Sequence, residues 1–280
     1  MSSPPVAANY LDIELRLLID AIYQRYHYDF RDYALASLKR RLALATSRFG
    51  CSSLSQLQHR VLHDPAMFTQ LLGYLTVPVS EMFRDPEYFR SIRRNVAPVL
   101  RTYPSLKVWI AGCSTGEEVY SVAILLREEK LLQRSLIYAT DINAQSLQAA
   151  SAGVYEASRI PGFTQNHRES GATDSLSEYY TAAYGRAVFD KGLRDHIVFA
   201  DHSLATDSVF AEVQLVLCRN VLIYFNRELQ DRAIGLFRDA LCRRGFLCIG
   251  SKESIRFSAH ASDFEDVDAE HRIFRKRDLP

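Results

Sequence analysis

Gly112-Cys113-Ser114-Thr115-Gly116 can support two different chemistries. Read as G-x-S-x-G, it is the strained turn that exposes a serine nucleophile in α/β-hydrolases. Read as a glycine-rich loop between a strand and a helix, it brings main chain close to a bound ligand. The second reading makes its own demand: a carboxylate at the tip of the next strand, where a nucleoside ribose would lie. "IYATDIN" supplies Asp141 there, about 25 residues after the loop, as such fingerprints require. An N-cap for the following helix is the plain structural alternative for Asp141. The helix start narrows the ligand further. Glu117 and Glu118 stand in its first turn, where they would repel a pyrophosphate and suit an ammonium or a sulfonium. S-adenosylmethionine carries both and has no phosphate. A Thr115-x-x-Glu118 capping box would use the same residues, and the two readings are compatible.

Such residues need a sheet to place them. "LKVWIAG" is a short apolar run ending at glycine, as in a buried parallel strand. The amphipathic "GEEVYSVAILLREEKLL", the strand "SLIYATDIN" and the helix "NAQSLQAASAG", closed by Gly153, follow. Later come "HIVFAD", "VQLVLCRNVLIYF", the helix "NRELQDRAIGLFRDALCRR" and the strand "GFLCIGS", with "HRIFRKR" as a final antiparallel strand. The alternation predicts an α/β, doubly wound parallel sheet. It also decides against the hydrolase. That turn follows a central strand with several strands before it, whereas Val108–Ala111 is the first strand in this chain.

Upstream, residues 10–75 read as helix throughout. "YLDIELRLLIDAIYQRY" sets Leu11, Leu15, Leu18, Ile19 and Ile22 at helical spacing. "DYALASLKRRLALATSRFG" has Asp32 as candidate N-cap and Gly50 as candidate C′ residue. Two shorter helices fall on "SLSQLQHRVLH" and "PAMFTQLLGYL", the second opened by Pro65. The expected organisation is an all-helical domain over 1–76, a linker and start of the catalytic domain over 77–105, and a catalytic domain over 106–280. Residues 154–196 interrupt the alternation as an inserted small subdomain, with a helix expected at "SLSEYYTAAYG".

Bulk composition removes several classes. A net charge of +1 argues against dedicated nucleic-acid binding. No apolar run approaches the length of a membrane span, and Met1–Asn9 lacks the pattern of a signal peptide. The five cysteines form no C-x-x-C pair, so reduced thiols and a cytoplasmic setting are expected. No His/Cys/Asp cluster has ligand spacing, so no metal is expected.

"VWIAGCSTGEEVYSVAILL", "IYATDINAQSLQAASAGVY", "VLCRNVLIYF" and "GFLCIGSKES" resemble, in order and spacing, the motifs of CheR-type protein-glutamate methyltransferases of bacterial chemotaxis. "LTVPVSEMFRDPEYF" resembles that family's segment between its helical and catalytic domains. The resemblance implies a Rossmann-like S-adenosylmethionine methyltransferase sheet, an N-terminal helical domain and a small inserted β-subdomain. It implies cofactor contacts from Ser80, Arg84, Glu118, Asp141, Ser203, Leu204, Arg219 and Asn220, with Arg84 and Tyr224 as catalytic residues arranging the acceptor. Alternatives are a surface bridge from Arg84 to Asp85 or Glu87, a core-edge role for Tyr224, and capping by Arg219 and Asn220. Asparagine is commoner in the family where Ser203 stands, and often stands where this chain has Pro78, which has no N–H to offer.

The basic helix with Lys39, Arg40, Arg41 and Arg48 corresponds to the family's receptor-docking helix; a solvated face is the alternative. The expected activity is S-adenosylmethionine-dependent O-methylation of glutamate side chains on the cytoplasmic domains of chemoreceptors, leaving S-adenosylhomocysteine. A methyltransferase on another acceptor, and a non-catalytic S-adenosylmethionine-binding signalling module, remain as alternatives. The insert, in that family, can dock a receptor's C-terminal peptide, and nothing in this sequence establishes that ability.

Overall fold

Leu15, Leu18, Ile19 and Ile22 are buried along one side of α1 (Tyr10–Tyr26), the stripe that their spacing requires. They come from a computed structural model that describes residues 9–278; most of the segment weighed above as a leader, Met1–Ala8, lies outside the described residues. α2 (Leu35–Arg48), α3 (Leu54–His63) and α4 (Pro65–Leu75) follow, with Ser53 and Asp64 capping the last two through their side chains. Gly50 takes a left-handed φ of 62° just past α2. Asp32 is not the N-cap of α2. That position is Ala34, without a side-chain cap, because Asp32 is engaged elsewhere. Its carbonyl and carboxylate accept from the backbone and side-chain nitrogens of Asn226 at 2.8 and 3.0 Å. The helices and the returning segment Tyr224–Leu229 form one compact unit, with residues up to Val77.

The second unit comprises Pro78–Ile223 and Gln230–Pro280. It opens with α5 (Pro86–Ser91), a π-turn at Ile92–Val96 and α6 (Ala97–Leu100). β1 (Leu106–Ala111), α7 (Glu117–Glu128), β2 (Ser135–Asp141) and α8 (Ala144–Ala152) follow. Then come β3 (Val154–Glu156), α9 (Ile160–Glu169), β4 (Tyr180–Ala183), β5 (Arg186–Phe189) and α10 (Lys191–Arg194). β6 (Ile197–Asp201), β7 (Val213–Cys218), α11 (Arg227–Ala240), β8 (Leu241–Ile249), β9 (Phe264–Asp268) and β10 (Ile273–Lys276) complete the chain. The main sheet runs β6-β2-β1-β7-β8-β10-β9, parallel from β6 to β8 and antiparallel beyond. It is the doubly wound α/β sheet expected, with β1 first in the chain yet flanked on both sides. Strand order reverses between β1 and β7, and ligands of such sheets bind outside the strand ends at that crevice.

Two local expectations need correction. "SLSEYYTAAYG" is helical only over Leu176–Tyr179, a 3₁₀ turn capped by Ser175; Tyr180–Ala183 pairs with Arg186–Phe189 as a hairpin, and β3 completes a three-stranded antiparallel sheet. Tyr184 and Gly185 both have positive φ, 50° and 73°, the backbone that a two-residue hairpin turn demands. The helix before the last parallel strand stops at Ala240, and "LCRR" already belongs to β8, where Arg244 bends the strand with φ 59°.

Candidate functional site

The loop after β1 alternates left-handed residues: Gly112, Ser114 and Gly116 have φ of 73°, 51° and 91°. Its glycines answer to protein neighbours. A Cβ on Gly112 would lie 2.4 Å from Cγ2 of Val221, in the turn after β7, and one on Gly116 would lie 2.8 Å from Cβ of Ala150 in α8. Between them, Ser114 donates its N–H to Asp141 Oδ2 at 2.8 Å, and Asp141 Oδ1 accepts from Asn143 N at 2.9 Å. The loop and the β2 carboxylate are thus one hydrogen-bonded assembly. Burial holds the Asp141 carboxyl above its ordinary pKa, although the surrounding N–H groups pull it back. Neither motif residue is a nucleophile. The Ser114 hydroxyl is buried without a hydrogen-bond partner, so no imidazole activates it, and burial pushes the Cys113 thiol well up.

The two glutamates at the start of α7 have separate partners. Glu117 is fully buried; its Oε1 meets Arg159 Nη1 at 2.6 Å and its Oε2 accepts from Thr115 Oγ1 at 2.6 Å. Glu118 Oε1 accepts from Arg219 Nη1 at 2.9 Å, leaving Oε2 without a protein donor among the described residues. No capping box forms, because Gly116 is the N-cap and Thr115 turns to Glu117. Of the pair, only Glu118 keeps an oxygen to offer a cationic ligand.

Arg219 is the hub of the site. Its buried guanidinium also reaches Asp85 Oδ2 at 2.6 Å and the Arg84 carbonyl at 3.2 Å, and it lies 4.0 Å over the Tyr88 ring. Burial alone would weaken its charge, but Glu118 and Asp85 overcome that and hold its pKa above the usual value. Arg84 makes neither bridge considered for it: Asp85 pairs with Arg219 and Glu87 with Arg90. Among the described residues its half-buried guanidinium has no hydrogen-bond or ion-pair partner. The Ser80 carbonyl accepts from Arg159 Nη2 at 2.6 Å.

Ser203 and Leu204 follow β6, beside β2. Ser203 donates its N–H to Asp207 at 2.9 Å while its hydroxyl accepts from Ala205 N at 3.3 Å, and Leu204 is buried. Asn220, at φ 60°, gives its N–H to Glu253 Oε2 at 3.1 Å. Glu253 also accepts from the N–H groups of Gly250 and Ile223, and its burial raises its pKa against that backbone support. Neither Glu253 nor Arg159 emerged from the sequence. Glu253 lies inside "GFLCIGSKES", three residues past a strand-end glycine, which was the available signal; Arg159 had none.

The remaining residues lie in the helical unit. Tyr224 ends a short 3₁₀ turn, its carbonyl accepting from Ala34 N at 2.8 Å and its ring covered by Arg41, whose Cζ is 4.2 Å from the centroid. Arg41 therefore does not belong to an exposed basic face: it is buried, and it hydrogen-bonds the Leu75 carbonyl. Lys39 is ion-paired with Asp12, and Arg40 and Arg48 are exposed. Among the described residues, no group of His, Cys, Asp and Glu gathers as a metal site would, and no helix is long and apolar enough to cross a membrane.

The class is that of S-adenosylmethionine-binding methyltransferases: the doubly wound sheet, the carboxylate at the tip of β2 and the acids at the start of α7 lie within a span that matches a methyltransferase SAM binding domain. The chain belongs to the CheR methyltransferase family. Residues 78–273 match its SAM binding domain and residues 13–76 its all-alpha domain. Cher3 of Pseudomonas putida, designated a methyltransferase, is 63% identical over 95% of this chain and 97% of its own length. A chemotaxis protein methyltransferase of Listeria innocua is 29% identical over 81% of this chain and 84% of its own. A 104.1 kDa protein of Rhodobacter capsulatus is 30% identical over 88% of this chain, which spans 26% of that longer protein. The residues present fit the cofactor: among the described residues Glu118 Oε2 and Ser114 Oγ have no protein partner, and Asp141, at the end of β2, accepts from the Ser114 N–H.

Proposed function

We propose that this methyltransferase esterifies glutamate side chains on the cytoplasmic domains of chemoreceptors. The cofactor, when bound, supplies a methyl group made electrophilic by its sulfonium. A glutamate acceptor is ionised at neutral pH, its ordinary pKa being about 4.3, so no general base is needed. What the protein must supply is alignment and removal of water. Arg84 serves that need: its fork can hold a carboxylate in plane with one oxygen directed at the methyl. Held so by Arg84, the carboxylate oxygen would be aligned to accept the methyl that the cofactor would supply, and the products would be a glutamate methyl ester and S-adenosylhomocysteine.

Asp141 is assigned to the ribose hydroxyls, Glu118 to the cofactor's ammonium, Ser203 and Leu204 to the adenine side, and Ser80, Arg219 and Asn220 to the rest of the cofactor. Tyr224 is assigned to orienting the acceptor. The exposed cations Arg40 and Arg48, with Lys39 beside them, are proposed to dock an acidic receptor surface weakly and with marked salt dependence.

The observation that carries this reading is Arg84, whose guanidinium is without a protein partner among the described residues while its own carbonyl is fixed by Arg219. The test is transfer of radiolabelled methyl from S-adenosylmethionine to receptor fragments. The reading expects label on receptors that is released by mild base, as an ester must be. Base-stable label would identify another acceptor atom, and no label from a cofactor-binding protein would identify a sensor.

A further inference from the structure

The segment that presents Arg84 is not held by secondary structure. Phe83 and Asp85, on either side of Arg84, have φ of 50° and 59°, a conformation that a bulky buried phenylalanine adopts only under constraint. The constraint comes from side chains. Alternate carbonyls are each taken by a distant donor: Ser80 O by Arg159 Nη2 at 2.6 Å, Met82 O by Asn166 Nδ2 at 3.0 Å, and Arg84 O by Arg219 Nη2 at 3.2 Å. The Phe83 N–H is taken by Ser121 Oγ at 2.8 Å, and the Phe83 ring lies 4.7 Å from the His167 ring.

Arg159, Asn166 and His167 all come from α9 or the residue before it, within the insert. α9 is itself pinned from behind. His167 Nε2 meets the fully buried carboxylate of Glu128 at 2.8 Å, and Arg93 pairs with that same carboxylate. Arg159 joins the segment to the start of α7 as well, through Glu117 at 2.6 Å.

We infer that α9 of the insert is a positioning element for methyl transfer, with Asn166 and Arg159 fixing the main chain from which Arg84 projects. The insert then does more than carry a peripheral sheet. It sets the direction of the guanidinium, and Asn166 acts on the reaction only through Arg84. This rests on the role proposed for Arg84 above.

A double-mutant cycle tests it. Asn166→Ala is expected to lower methyl transfer to receptor fragments about 10-fold with an unchanged urea midpoint, since small misplacement of a positioning group is costly. In an Arg84→Ala background the same substitution is expected to cost nothing further. Equal losses in both backgrounds, or no loss in either, would overturn the inference. Should Asn166→Ala fail to fold, Asn166→Asp keeps the volume, sets an oxygen against the Met82 carbonyl, and must reproduce the non-additive loss. Titration with S-adenosylhomocysteine runs the same cycle without a receptor. If the wild type labels no receptor, the proposed function fails while non-additive cofactor affinities still uphold the positioning role; additive ones would sink it.

Discussion

The loop after β1 and the Ser80–Asp85 segment solve one problem in opposite ways. Both force the chain through left-handed conformations beside the proposed cofactor site. The loop spends glycines on two of its three such positions, and parallel strand geometry holds it: Gly112 N and Cys113 N both donate to Thr140 O, at 2.8 and 2.9 Å. The segment has no glycine at its strained positions. Phe83 and Asp85 bear costs of about 1–3 kcal/mol each, offset by side chains from α7, α9 and the end of β7. A glycine loop is local and robust; a side-chain clamp is assembled only when distant elements have docked. Arg84 sits on the clamp and Asp141, at the end of β2, is bonded to the loop, so the group proposed to act on the acceptor depends on the whole unit. The group proposed to hold the cofactor depends on two adjacent strands.

That contrast can be broken by substitution. The largest effect is expected from Arg84→Ala. Methyl transfer should fall about 100-fold or more while affinity for S-adenosylhomocysteine falls much less, because the clamp serves alignment. Equal losses in both would move Arg84 into the cofactor site proper. Next is Gly112→Ala. A methyl there meets Val221 at 2.4 Å in a backbone that side chains resist, so stability should drop by roughly 1–3 kcal/mol in denaturant titration. A neutral result would show that the turns after β1 and β7 can separate.

The smallest effect is a trend with pH. Burial raises the folded-state pKa of Asp141 above its ordinary 3.8, so ionisation opposes folding. The associated stability is complete below that value and is lost as pH rises through the folded pKa. The Tm of Asp141→Asn, relative to wild type, should therefore rise with pH across this window and then level off. A difference that is flat or falls with pH would mean that the backbone donors, and not burial, dominate at this carboxylate.

Legibility in the sequence follows the same division. The loop, Asp141 and the order of strands are local patterns: a glycine-bounded apolar run, an acid at a strand tip, an alternation of periods. Each could be read from neighbouring residues, and Asp141 meets the loop through Ser114. What escaped was set by contacts distant in the chain. Arg159 and Ser80 are joined across 79 positions, and Asn220 and Glu253 across 33. Arg41 looked like one more cation on a basic helix until the carbonyl of Leu75 and the Tyr224 ring took it inward. Asp32 looked like a cap until Asn226 claimed it. The hairpin at Tyr180–Phe189 is hard to tell from helix because its alanines and aromatics suit either, while the deciding Tyr184–Gly185 turn is two residues long.

The most direct measurement is calorimetric titration of S-adenosylhomocysteine into the wild type and Asp141→Ala. Charged hydrogen bonds of this kind are worth about 1.5–3 kcal/mol, so the variant should bind roughly 10- to 100-fold more weakly. Equal affinity in the two proteins would contradict the assignment of the cofactor's ribose to the carboxylate at the end of β2.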